Sequence, residues 1–109
     1  MDRIALIFDF DDTLAPDSTS SFLESIGVDT KDFWGKKVKT LLDEDWDPIP
    51  AYLYKMIEAS KEGKSITKEK LKAFGKRINF NEGVKRFFPY IKSTFEKKYP
   101  DISIEYYMI

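Results

Sequence analysis

The chain has 109 residues, 18 of them Lys or Arg and 19 Asp or Glu, for a net charge of −1. That near balance argues against a polyanion binder, so no nucleic-acid partner is expected. The absence of both Cys and His excludes disulfides, thiol catalysis, histidine bases and metal sites built on either residue.

Any catalysis must therefore rest on carboxylates, Lys, Tyr, hydroxyls or a hard metal held by oxygen. The length suits a single domain, and the 42% apolar fraction supplies a core. No apolar stretch approaches the ~20 residues that span a bilayer, and the start lacks a signal-peptide pattern. No membrane partner is expected, and the simplest compartment is the cytoplasm.

Residues 4–8 form a short continuous apolar run, which predicts a strand covered on both faces. It leads into Asp9-Phe10-Asp11-Asp12-Thr13-Leu14, and Ala15-Pro16-Asp17 turns the chain. Helical spacing then places Phe22, Leu23 and Ile26 on one face, with Asp17 as cap and Gly27 as stop. Thr30 is the expected cap of a second helix, with Trp34, Val38, Leu41, Leu42 and Asp45 on its stripe. Asp47-Pro48-Ile49-Pro50 is expected to break that helix. Leu53, Met56 and Ile57 mark the inward face of a third helix ending near Gly63. Thr67 caps a fourth, with Leu71, Phe74 and Ile78 inward. Asn81 is the expected cap of a longer fifth helix carrying Val84, Phe87, Phe88, Ile91 and Phe95, kinked at Pro89. After Tyr99-Pro100-Asp101, residues 102–109 read as a second strand.

Strand, four short helices, one longer helix and strand make an α/β chain whose strands pair in parallel through a right-handed crossover. A crossover needs only about a dozen residues, so the helices of 15–78 read as an inserted subdomain. A two-stranded parallel sheet is smaller than such sheets usually are. The chain is therefore expected to be part of a larger fold, and its open strand edges would permit self-association.

Ligands of open α/β sheets bind at the carboxyl ends of strands, where Asp9 and Asp11 fall. Close carboxylates repel unless a proton or cation bridges them. An oxygen-only donor set favours Mg²⁺ over zinc or copper. A calcium loop starting at Asp9 fails, because Leu14 and Ser20 stand where Gly and Glu are needed. A solvated turn is the plainer alternative.

Ile7-Phe8-Asp9-Phe10-Asp11-Asp12-Thr13-Leu14 resembles the first motif of the haloacid-dehalogenase-like hydrolase superfamily, an apolar strand followed by Asp-x-Asp-x-Thr-Leu. The inserted helices resemble that superfamily's helical cap subdomain. Asn81-Glu82-Gly83-Val84-Lys85-Arg86-Phe87-Phe88 resembles its return helix, and residues 104–109 resemble its second core strand. The resemblance implies a partial Rossmann-like core, 1–14 and 79–109, with a cap over 15–78. It implies Asp9 as nucleophile, Asp11 as general acid and base, and Thr13 as a brace for the loop through its hydroxyl. It implies Mg²⁺ on the Asp9 carboxylate and the Asp11 backbone carbonyl. An acid at 11 favours a phosphatase over a dehalogenase, because halide needs no proton to leave. The implied substrate is a small phosphorylated molecule.

The superfamily's later motifs (a Ser or Thr, a Lys and a further acidic metal ligand) have no counterpart here. The chain is accordingly expected to be an N-terminal part, inactive or slow by itself. The competing expectation is a small non-catalytic helical module that binds a partner or self-associates. A phospho-acceptor signalling domain fits worse, since its compact layout carries no helical insertion.

Trp34, Trp46, Tyr52 and Tyr54 are expected in the core of the helical insertion rather than in a pocket. Lys36, Lys37 and Lys39, and Lys61, Lys64, Lys68, Lys70 and Lys72, read as solvated helix faces. Gly83 suits a tight turn before the fifth helix.

Overall fold

A computed structural model describes residues 2–109. The elements are β1 (Asp2–Phe8), α1 (Ser18–Ser25), α2, α3, α4 (Lys68–Gly75), α5 (Val84–Lys98) and β2 (Ile102–Met108). Helix α2 is continuous through Thr30–Asp32, a π-helical stretch Phe33–Val38, and Lys39–Asp43. Helix α3 runs over Pro48–Ala59 and continues through a π-helical turn at Ser60–Lys64. The chain divides into two compact units, one made of the residues up to Ser18 together with Ile78–Ile109, the other of Thr19–Arg77.

In the first unit β1 and β2 pair in parallel, with Ile4 opposite Ile104, Leu6 opposite Tyr106 and Phe8 opposite Met108. Side chains alternate across a sheet, and α5 covers one face. Phe8 lies edge-on to Phe87 and Phe88 at 5.9 and 5.4 Å, and Tyr106 donates its hydroxyl to the Phe88 carbonyl at 2.7 Å. Ile104, opposite Ile4, is buried. The opposite face is open: Arg3 pairs with Glu105 at 3.3 Å, Tyr107 donates to Glu105 at 2.7 Å, and Ile7 is 62% exposed. The expected burial of β1 on both faces is therefore corrected. A continuous apolar run records what a strand tolerates, and a single helix covers a single face.

Helix α5 begins at Val84, after Gly83 in the left-handed region at φ 87°. Asn81, expected as its cap, makes no side-chain cap there and points elsewhere, as described below. The half-buried stripe is Val84, Phe88, Ile91 and Phe95, while Phe87 is 39% exposed, against Phe8 and Phe88. Pro89 lies inside the helix, and Lys97 and Lys98 close it where cations favour the dipole.

The core of the second unit consists of Leu23, Phe33, Val38, Leu41 and Ala51. Helix α1 ends as its sequence suggests. Gly27 adopts φ 82°, and the Gly27 and Val28 amides donate back to the Glu24 and Leu23 carbonyls. The cap of α2 is Asp29, whose carboxylate accepts from the Lys31 and Asp32 amides, and not Thr30, which turns its hydroxyl to Glu24.

The stripe of α2 also differs from a 3.6 pattern. Its π-helical stretch bonds five residues apart and brings Phe33 and Val38 to one side. Phe33 is fully buried, Leu42 is exposed, and Asp45 leaves the helix at φ 65°. Helix α2 ends at Asp43, ahead of the expected break at Asp47 to Pro50, and those residues also start α3. Asp47 accepts from the Ile49 amide, and Pro48 occupies the first turn, where its missing N–H costs nothing. Ala51 and Ala59 face inward, and Tyr52 and Met56 pack on the core. Leu53 and Ile57 point outward at 46% and 54% exposure. Small alanines let α3 approach closely, so the large side chains on the adjacent face stay outside.

Thr67 caps α4 by accepting from the Lys70 amide, and Phe74 meets Phe22 edge-on at 5.5 Å. Leu71, expected inward, is exposed. Trp34 joins the core wall, edge-on to Phe33 and Tyr52, with its indole N–H on the Ser20 hydroxyl at 2.9 Å. Trp46 and Tyr54 instead meet at a tilt, 5.5 Å apart, and are 40% and 44% exposed, against the expectation of a core position.

Candidate functional site

The segment after β1 winds tightly around one carbonyl. The Phe10 oxygen accepts from the amides of Thr13, Leu14 and Ala15 at 3.2, 2.9 and 3.3 Å. Closing that turn requires Asp12 at φ 57°, a left-handed conformation that Asp tolerates better than most residues. Asp11 and Ala15 form an isolated bridge, and Ala15 is fully buried. Phe10 turns away from the loop and meets Phe80 edge-on at 6.2 Å. Ahead of the loop, the Ile109 amide donates to the Phe8 carbonyl at 2.9 Å and extends the sheet contact to its very end.

The carboxylates have different environments. Asp11 is half-buried, and its Oδ1 accepts from the Ser18 amide at 2.9 Å, at the start of α1. An anion there is favoured by the dipole of the first turn. Asp9 is exposed and makes no hydrogen bond or ion pair among the described residues. Asp12 and Thr13 are exposed as well.

Thr13 is held through its backbone. Its amide donates to Phe10, and its carbonyl accepts from Asn81 Nδ2 at 2.9 Å. The Asn81 amide adds a bond to the Leu14 carbonyl at 2.8 Å. Asn81, expected as a helix cap, and Ala15, expected in the turn that follows, thus hold the loop. A polar residue just before a helix looks like a cap, and a distant partner leaves no local pattern.

Among the described residues no three carboxylates converge on a metal-sized site. The Asp9 carboxylate and the Asp11 backbone carbonyl offer oxygen donors only, a chemistry that suits a hard cation such as Mg²⁺ rather than zinc or copper. Beside the loop, Phe10, Leu14, Phe80, Phe88, Tyr106 and Met108 line an apolar hollow of about 280 Å³.

No protein family, curated protein or solved structure matches the chain. Its fold is mixed α/β, with five helices and a two-stranded parallel sheet among the described residues. No helix among the described residues is long and apolar enough to cross a membrane.

Proposed function

We propose that the loop from Asp9 to Thr13 is the nucleophile loop of a Mg²⁺-dependent phosphoric monoester hydrolase of the haloacid-dehalogenase type. The observation that carries this reading is the division of labour between two carboxylates at one strand end. Asp9 is exposed and unengaged, while Asp11 is held by the first amide of α1.

An unengaged carboxylate suits attack. An Asp9 oxygen bonds to phosphorus as the ester P–O bond breaks, and Asp11 gives its proton to the departing oxygen. Water then attacks the phosphoryl group, Asp11 takes its proton, and Asp9 is regenerated as phosphate leaves. The bond to Ser18 engages one Asp11 oxygen and leaves the other for that proton. The Asp9 carboxylate and the Asp11 carbonyl would hold Mg²⁺, which would supply positive charge to offset carboxylate and phosphate. The helical unit Thr19–Arg77 would serve as the cap subdomain, and the substrate would be a small phosphorylated molecule met in the cytoplasm.

Among the described residues no Lys or Arg pairs with Asp9 or Asp11. Turnover by this chain alone is therefore expected to be slow. The test is incubation with acetyl phosphate and Mg²⁺, followed by peptide mass mapping. A phosphoryl adduct on Asp9, absent without Mg²⁺ and in Asp9→Asn, supports the reading. No adduct on the wild-type chain, or an equal one in Asp9→Asn, overturns it.

The open sheet face favours a second reading, a self-associating module. Ile7, Tyr107 and Ile109 are all more than half exposed on that face, and apolar patches of this kind mark contact surfaces.

A further inference from the structure

We propose a second anion site, in the helical unit Thr19–Arg77, that binds a small phosphate ester. A cavity of about 480 Å³ opens where α1, the end of α3 and α4 come together, within the size range of small-molecule sites. Three cations line it, Lys64, Lys70 and Arg77, and no carboxylate does. Its remaining wall includes the Ser25 hydroxyl and the Phe22–Phe74 edge-on pair.

What sets these cations apart is that they share one hollow with no carboxylate in its wall. Elsewhere on the same unit, Lys36, Lys37, Lys39 and Lys55 each lie within 4.0 Å of an Asp or Glu, while Lys31, Lys61, Lys68, Lys72 and Lys76 are in no ion pair among the described residues. Lys64, Lys70 and Arg77 are in no ion pair among the described residues. Lys64 is held at the rim instead, its Nζ donating to the Gly27 carbonyl at 2.9 Å. Three like charges around one hollow raise one another's energy, and a bound anion relieves that repulsion.

The chemistry of the wall narrows the ligand. Arg77 offers planar paired donors and the lysines compact charges, the combination that recognises phosphate oxygens. Phe74, half-buried at the wall, offers an apolar surface to a ring or chain next to the phosphate. The ligand is therefore a phosphate monoester with an apolar or planar organic part. This site shares no residue with the Asp9 loop and does not rest on the hydrolase reading.

The experiment titrates phenyl phosphate, inorganic phosphate and phenol into the isotope-labelled chain without divalent metal, read by two-dimensional NMR. Phenyl phosphate should shift the Ser25, Gly63 and Phe74 amides saturably, more tightly than phosphate, with phenol far weaker. The double variant Lys70→Gln/Arg77→Gln should bind about tenfold more weakly, and Lys70→Arg should bind as the wild type does. Asp9→Asn should leave the affinity unchanged, which separates this site from the catalytic reading. Shifts confined to residues outside the cavity, equal affinity in the double variant, or phenol binding as well as phenyl phosphate would each overturn the proposal.

Discussion

Asp9 and Asp11 are the same residue type two positions apart, and their surroundings divide their roles. Removing Asp11 takes an acceptor from the first amide of α1, so Asp11→Ala should lower stability by about 1 kcal/mol. Asp9→Ala removes a side chain without partners, and urea unfolding should find it within ~0.5 kcal/mol of the wild type. A large loss in Asp9→Ala would mean that its carboxylate carries structure rather than chemistry.

The open sheet face holds another residue-scale test. The Tyr107 hydroxyl, and then Arg3, hold the Glu105 carboxyl below the usual glutamate range. Glu105 in turn holds the Tyr107 phenol above its ordinary value. A lowered carboxyl favours the fold above its unfolded value, and that contribution fades as pH falls through the folded one. The raised phenol works in the opposite direction. Its contribution is complete below the unfolded tyrosine value and fades as pH rises through the folded one. Tyr107→Phe should move the NMR titration of Glu105 upward, toward an ordinary glutamate. An unmoved midpoint would mean that Arg3 alone sets it.

At the scale of the element, α2 and α3 show how backbone geometry redirects an apolar pattern. Read at 3.6 residues per turn, Phe33 falls off the stripe of α2, yet the π-helical stretch makes it the largest fully buried side chain. Phe33→Ala should therefore cost roughly 3–5 kcal/mol, enough to unfold the helical unit near room temperature. Leu53 belongs to an apolar stripe in sequence but lies on the outer face of α3. Leu53→Ala should cost less than about 1 kcal/mol. Thermal melts of the two variants compare the faces directly, and similar losses would refute the assignment.

At the scale of the whole molecule, the sheet has one covered face and two unpaired edges. Such surfaces are where chains associate. Ile7→Lys places a charge on the open face without entering the core. It should leave the melting temperature within a few degrees and reduce any concentration-dependent mass seen by sedimentation. A wild-type chain that stays monomeric at high concentration would remove the self-association reading.

Much of this protein is set by local chemistry and so can be read along the chain. The order of strand, five helices and strand follows from apolar spacing and turn residues. Gly27 and Thr67 act where they stand because caps involve neighbours only a few residues away. The position of Asp9 and Asp11 at the end of β1 is local in the same sense. Tertiary structure decided the rest. Asn81 binds the loop across 68 positions of sequence, a reach that no periodicity records. Which face of α3 is buried depended on how closely Ala51 and Ala59 let it approach, and which face of β1 is covered depended on there being one helix to cover it. The cavity walled by Lys64, Lys70 and Arg77 likewise exists only because separate helices converge. Spacing determines what a segment can bury, whereas the partners available in space determine what it does bury.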